Sequence, residues 1–300
     1  MKKNILGIAI IVIIVLLTAP NRHIINTISG NFSGITNKLQ LTDTSDKSKN
    51  NIISNSSQFY RELRKHLLKR ENNFSITYYG SYNSIENDGN ELLKQIRNLD
   101  YKDTSDDGEF LVEDITRIGF NCTHNSTRCV YTFNVNYSET AEQVKKLNKK
   151  IKKVLKKLKI EKYSKYKRTK LIHDYVVNTV SYDQTLSDYT AYGALVDKKH
   201  STVCQGYTQL MYKMLTEAGI NAHYISGKAT NSTGVTQEHA WNIVKLKGKW
   251  YYIDATWDDP ISTEPILRYD YFLVGSNTLN KDHQTDLEYD RYNVSFIDFK

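Results

Sequence analysis

The sequence predicts an α+β fold in which a helix bearing a cysteine packs on an antiparallel sheet, preceded by a small α/β region and an N-terminal apolar segment. Three observations predict it. Apolar residues recur at helical spacing directly behind Cys204, at Tyr207, Leu210, Met211, Met214, Leu215 and Ala218. Two strand-like runs, 239–246 and 249–254, are separated only by Lys247-Gly248, a hairpin signal. Upstream, from Phe59 to Tyr137, short helical and strand-like runs alternate with no repeat at solenoid periods. A chain of 300 residues accommodates one large domain or two modest ones, with a core that needs no disulfide or metal to hold it.

In chain order, Lys2 and Lys3 precede the uncharged, apolar residues 5–19. This is a secretion-type start. The run is shorter than the roughly 20 residues a spanning helix needs. No small-residue cleavage site is evident. Residues 1–20 are therefore expected to be an uncleaved signal anchor with the positive end inside. A cleaved signal peptide is the alternative. The expected location is extracytoplasmic, membrane-anchored, or secreted if the segment is cut. The net charge of +8 implies an anionic neighbourhood. Export leaves acidic lipid or anionic wall polymer and argues against nucleic acid.

Residues 21–57, rich in Asn, Ser, Thr and Lys, read as a disordered linker. Residues 58–137 read as the α/β region, with helices over 59–69 and 91–99 and strands over 74–79, 115–122 and 129–137. The chain has three cysteines, Cys122, Cys129 and Cys204. Outside the cytoplasm thiols tend to pair. A Cys122–Cys129 bond is expected to clip the hairpin, and Cys204 is left as the odd thiol.

Residues 138–300 form the larger domain. Ser138 as N-cap, with acidic residues in the first turn, predicts a helix. Its stripe is Val144, Leu147, Ile151, Val154, Leu155 and Leu158. Lysines over 145–159 cover its other faces, either as a solvated surface or as a contact for anionic wall polymer or lipid headgroups. A second helix, 165–180, leads into Tyr182.

Cys204 falls at the N-terminus of the next helix, which Gly219 closes as a left-handed cap. Free N–H groups at such an end favour thiolate over thiol and help hold an oxyanion. In the hairpin, a two-residue turn sets Leu246 opposite Lys249 and Trp241 opposite Asp254. His239 shares Trp241's face, so Asp254 is its diagonal neighbour. Cysteine, histidine and aspartate then match a nucleophile, a base and the group that orients the base. Zinc sites use ligand pairs at short spacing. None surrounds Cys204 or His239, so no metal or other cofactor is expected.

At these residues the chain resembles the bacterial members of the transglutaminase-like superfamily. The similar runs are Val203-Cys204-Gln205-Gly206-Tyr207, Gly219-Ile220, His239-Ala240-Trp241-Asn242, the stretch from Trp250 through Asp254 to Trp257, and Tyr271-Phe272-Leu273. The likeness covers roughly residues 139–287. The resemblance implies a papain-like transglutaminase core with Cys204, His239 and Asp254 catalytic. Thr202 and Thr208 depart from the Gly and Ala that the family often carries there. The implied activity is acyl transfer from protein or peptide carboxamides through a Cys204 thioester, resolved by an amine in cross-linking or transamidation. Cysteine protease or cell-wall peptide amidase action is the alternative, and a non-catalytic surface-binding module is the third reading. Substrates would be surface proteins or wall peptides. Tyr182 is a candidate oxyanion donor, and Trp241 and Trp257 are candidate pocket walls.

Overall fold

The computed structural model describes residues 10–16, 25–26, 52–80, 89–98, 105–124, 127–261, 266–286, 289 and 291–300. The chain divides into two compact units, 1–99 with 115–136, and 100–114 with 137–300.

The first unit contains β1 (Ile10–Leu16), β2 (Ile25–Asn26), α1 (Ser56–Leu68), β3 (Asn73–Tyr78) and α2 (Gly89–Asn98). Two further strands, β4 (Ile115–His124) and β5 (Cys129–Tyr137), complete its sheet, in the order β2-β1-β4-β5-β3. Helix α1 is capped by Asn55, whose side chain accepts from the backbone N–H of Gln58 at 2.9 Å. Its buried Phe59 meets the Tyr131 ring edge-on at a centroid separation of 4.8 Å. Such aromatic contacts add to the area buried.

Two expectations need correction here. Ile10–Leu16, the middle of the expected anchor, is a strand paired antiparallel with β4. A run of Ile and Val is stiff at χ1 and suits a pleated strand better than a helix. The rest of that segment, and most of the linker expected over 21–57, lies outside the described residues. Among the described residues no helix is long and apolar enough to cross a membrane. Cys122 and Cys129 are likewise free thiols, both buried. Burial pushes the Cys122 thiol up to about 12, with Cys129 adding to the effect.

The second unit takes in α3 (Gly108–Asp114), α4 (Ala141–Lys157), a single 3-10 turn (Ile160–Lys162), α5 (Lys165–Thr179), β6 (Ser181–Tyr182), α6 (Ala191–Leu195) and β7 (Ser201–Thr202). Then follow α7 (Cys204–Glu217), β8 (Ala222–Thr230), β9 (Thr236–Leu246), β10 (Lys249–Ile253), β11 (Phe272–Val274), α8 (Ser276–Leu279) and β12 (His283–Thr285). The cap of α4 is Thr140, not Ser138. Thr140 and Gln143 form a reciprocal capping box, which Ser138 lacks the spacing to make.

The five-stranded sheet runs β11-β10-β9-β8-β12. Its strands alternate between two cores. Val244, Leu246, Tyr251 and Ile253 join Tyr207, Leu210, Met211 and Met214 of α7. Ile225, Trp241, Ile243, Tyr252 and Val274 form the other core with Leu279 and Tyr289. The segment 105–114, which the sequence reading assigned to the first region, packs against α7. Lys213, fully buried on α7, donates to the Ser105 carbonyl at 2.9 Å and pairs with Asp106 at 2.5 Å. A buried ammonium needs such partners, since desolvation otherwise penalises its charge.

Candidate active site

Helix α7 begins at Cys204 because Val203 is still extended, at φ −90° and ψ −177°. The parallel pairing of β6 with β7 sets Tyr182 opposite Thr202, two residues before the thiol. Gly206 is required by close approach. A Cβ there would lie 2.0 Å from Thr202 Oγ1 and 2.7 Å from the Thr190 carbonyl oxygen. The two departures from the family pattern make local bonds. Thr202 Oγ1 donates to the Asp188 carbonyl at 3.0 Å, and Thr208 Oγ1 donates to the Cys204 carbonyl at 2.8 Å.

Helix and sheet are tied by Asn242. Its buried side-chain amide donates to the carbonyls of Thr208 on α7, at 3.1 Å, and of His223 on β8, at 3.3 Å. The hairpin has the register derived from sequence, with Leu246 opposite Lys249 and Asn242 opposite Ile253. Lys247 and Gly248 both have positive φ, 48° and 84°. That geometry belongs to a type I′ turn, whose twist matches the flanking strands.

This frame brings His239 and Asp254 together. His239 Nε2 lies 2.7 Å from Asp254 Oδ2, and both side chains are almost fully buried. Cys204, part-exposed, is among the groups that act on the His239 imidazole, after Asp254. Burial disfavours the charged imidazole. The Asp254 charge, and hydrogen bonds with Asp254 and Cys204, outweigh it and push His239 up to about 10. Burial likewise opposes the Asp254 charge, but His239 first and His283 next hold the carboxyl well below the usual range. Asp254 Oδ1 accepts from the backbone N–H groups of Thr256 and Trp257, at 3.0 and 3.2 Å. The following turn is pinned to α5 by a second buried pair, His173 Nε2 to Asp258 Oδ2 at 3.0 Å.

Residues 152–255 match the family described as the transglutaminase-like superfamily. This stretch is a transglutaminase-like domain. Over 102 residues the chain is 30% identical to the human kyphoscoliosis peptidase, covering 30% of this chain and 15% of the relative. The mouse protein of that name is 29% identical over the same share. The chain thus spans a small part of the curated relatives it matches. Three solved structures are also similar. One is described as a TGase, at 18% identity and TM-score 0.31, covering 74% of this chain and 62% of that one. A candidate cysteine protease from Cytophaga hutchinsonii has 16% identity and TM-score 0.29, covering 62% and 65%. A candidate protease from Parabacteroides distasonis has 13% identity and TM-score 0.26, covering 58% and 39%.

Other residues within and just beyond the matched stretch line the same place. Negative charge at Cys204 is among the causes, after burial, that push the Tyr182 phenol up to about 12. The rings of Trp241 and Trp257 lie 5.8 and 5.6 Å from the His239 ring. Trp241 is fully buried, and its indole nitrogen has no hydrogen-bond partner among the described residues. Sequence reasoning missed His283, whose Nε2 lies 3.2 Å from the same Asp254 Oδ2. It sits in a three-residue strand that no periodicity announces. Donor atoms of His239, Asp254 and His283 all lie within 4.8 Å of one another, a spacing compatible with a metal ion. Here those donors face each other at hydrogen-bond distance, so the cluster is complete as a polar network.

Proposed function

We propose that this chain is a thiol acyl-transfer enzyme acting on protein or peptide carboxamides, with Cys204, His239 and Asp254 as its catalytic residues. The single observation that carries the reading is the buried His239–Asp254 pair, at 2.7 Å, with the part-exposed Cys204 at a helix N-terminus among the groups that act on the imidazole. In this reading the Cys204 sulfur attacks the carboxamide carbon while His239 carries the thiol proton. The oxyanion that forms is met by backbone N–H groups at the start of α7 and by the Tyr182 phenol. His239 then protonates the departing nitrogen, and a thioester remains on Cys204. An incoming amine, deprotonated by His239, attacks the thioester and restores the thiol. That outcome is transamidation or cross-linking. Trp241 and Trp257 wall the acyl site, and no cofactor enters any step.

Hydrolysis is the second reading, favoured by the human and mouse relatives being named peptidases. Water replaces the amine in the last step, giving a cysteine protease or a cell-wall peptide amidase. Mass spectrometry of the intact protein after incubation with glutamine-containing surface peptides tests both readings. An acyl adduct on Cys204 is expected. Its resolution by an added fluorescent amine marks transamidation, and release of free acid marks hydrolysis. A Cys204 that forms no adduct and labels with iodoacetamide only after unfolding would leave a non-catalytic surface-binding module.

An extracytoplasmic location, with surface proteins or wall peptides as substrates, rests on the charge pattern alone, Lys2 and Lys3 ahead of the apolar residues 5–19, since Ile10–Leu16 is a strand of the first unit's sheet. The exposed lysines of α4 suit an anionic wall polymer or lipid headgroups. Cell fractionation that recovers the full-length chain only from cytoplasm would sink the location.

A further inference from the structure

We propose that His283 is a positioning residue for this site, holding Asp254 through the same carboxylate oxygen that meets His239, so that the carboxylate keeps one orientation through the proton transfers. The proposal rests on the catalytic reading of Cys204, His239 and Asp254 given above.

The geometry supports it at each atom. The His283 side chain is fully buried. Its Nε2 faces Asp254 Oδ2 at 3.2 Å, and its Nδ1 faces Asp282 Oδ1 at 2.6 Å. Asp282 is itself held, since Tyr271 donates its phenol O–H to Oδ2 at 2.6 Å. The connected chain therefore runs from His239 through Asp254, His283 and Asp282 to Tyr271. With both backbone bonds at Oδ1 and both imidazoles at Oδ2, every side of the carboxylate is occupied. Rotation about its last bond would break all four contacts together.

Packing around the ring is equally specific. Trp257, Trp241 and Tyr271 surround His283 at centroid separations of 4.4, 5.0 and 5.2 Å. These rings exclude water, which strengthens each polar contact inside. Strand β12 reaches this position because Gly227 has no side chain. A Cβ there would meet the Gln284 carbonyl oxygen at 2.1 Å and Trp241 Cη2 at 2.8 Å. A histidine that merely filled space would not need a carboxylate on each ring nitrogen. Burying it with both nitrogens met is costly to assemble and makes sense when the bond to Asp254 is used.

The groups facing His283 are Asp254 at the end of β10, His239 on β9, Asp282 beside it, and Tyr271 at the start of β11. Burial opposes the Asp254 charge, but the two His239 contributions and then the bond to His283 hold the carboxyl down. Removing His283 therefore lets Asp254 take up a proton at higher pH.

The test is the pH–rate profile of iodoacetamide alkylation at Cys204, read by mass spectrometry on the full chain. His283→Ala is expected to slow alkylation by roughly 10- to 100-fold, the range typical for loss of an outer-shell partner. It is also expected to move the acid limb to higher pH while leaving the far-UV circular dichroism unchanged. His283→Gln, which keeps an N–H donor, is expected to recover most of the rate. An unchanged rate and limb in His283→Ala would overturn the proposal. So would equal losses in Ala and Gln with no movement of the limb, the mark of a packing role. Should His283→Ala fail to fold, Asp282→Ala frees Nδ1 at a partly exposed position and is expected to move the limb the same way; no movement there also overturns it. His239→Ala in the same assay separates the two levels of argument. Wild-type rates in His239→Ala sink the catalytic reading, whereas a lost rate there with a normal His283→Ala sinks only the role of His283.

Discussion

Asp254 Oδ2 lies 2.7 Å from His239 Nε2, although the two residues are fifteen positions apart on opposite arms of a hairpin. The hairpin register makes them diagonal neighbours, and burial makes the contact electrostatically strong.

Asp254→Asn keeps the shape of the carboxylate and removes its charge. The imidazolium of His239 then loses its main support. Turnover, or Cys204 alkylation where the substrate is unknown, is expected to fall by about 10³- to 10⁴-fold, as for other triads deprived of the orienting charge. The circular dichroism spectrum should not change. Activity within roughly twofold of the native protein would remove Asp254 from the chemistry.

His239 and Asp254 also set a pH dependence of stability. His239 is raised from 6.5 to about 10 in the folded chain. A raised group contributes stability that is fully present below its unfolded value and lost as pH rises through the folded one. Stability should therefore fall between pH 6.5 and about 10, and His239→Gln should flatten that slope. Asp254 acts in the opposite sense. Its depressed carboxyl stabilises above 3.8, and the contribution is lost as acid protonates it below that value. Urea titrations at stepped pH measure both limbs; an identical slope in His239→Gln contradicts the assignment.

Gly227→Ala should damage the site from a distance. The new methyl meets backbone on β12 at 2.1 Å, which no side-chain rotation relieves. Strand β12 must shift and carry His283 away from Asp254. A loss of about 1–3 kcal/mol in urea unfolding is expected, as for overpacking elsewhere, together with slower Cys204 alkylation. Native stability in this variant would show that the strand has room.

Asn242→Ala leaves the carbonyls of Thr208 and His223 without their shared donor. The expected cost is about 1–3 kcal/mol for these buried groups. Helix α7 should also loosen on the sheet, so Cys204 reactivity should fall with stability. Reactivity that stays at the native level would mean that the start of α7 is held by other contacts.

Thiol counting checks the correction at Cys122 and Cys129. In the native state Cys204 should alkylate first, because the other two are buried. After unfolding without reductant, all 3 cysteines should label. An intact mass lower by the two hydrogens of a disulfide would restore the bond expected from sequence.

Several features were legible because neighbouring residues encode them. The apolar stripe of α7, its left-handed Gly219, and the Lys247-Gly248 turn all follow from local spacing, and the turn alone sets the hairpin register. Other features lacked a local signal. The choice of Thr140 over Ser138 as cap depended on a glutamine three residues on. The attachment of 105–114 depended on Lys213, which reads as one more helix lysine until its burial is seen. The run Ile10–Leu16 is apolar in either setting, and its β-branched residues pair with β4.

The sequence by itself picked out Cys204, His239 and Asp254 as the residues whose chemistry suits the proposed thiol site, and it determined the parity that puts the last two on one face. Tertiary structure alone decided that His283 converges on the same carboxylate oxygen as His239. That convergence comes from β12 pairing with β8, and from a glycine that lets the strands close up. Strand order across a sheet is a non-local property: it is set by which surfaces bury together, and no spacing along the chain carries it.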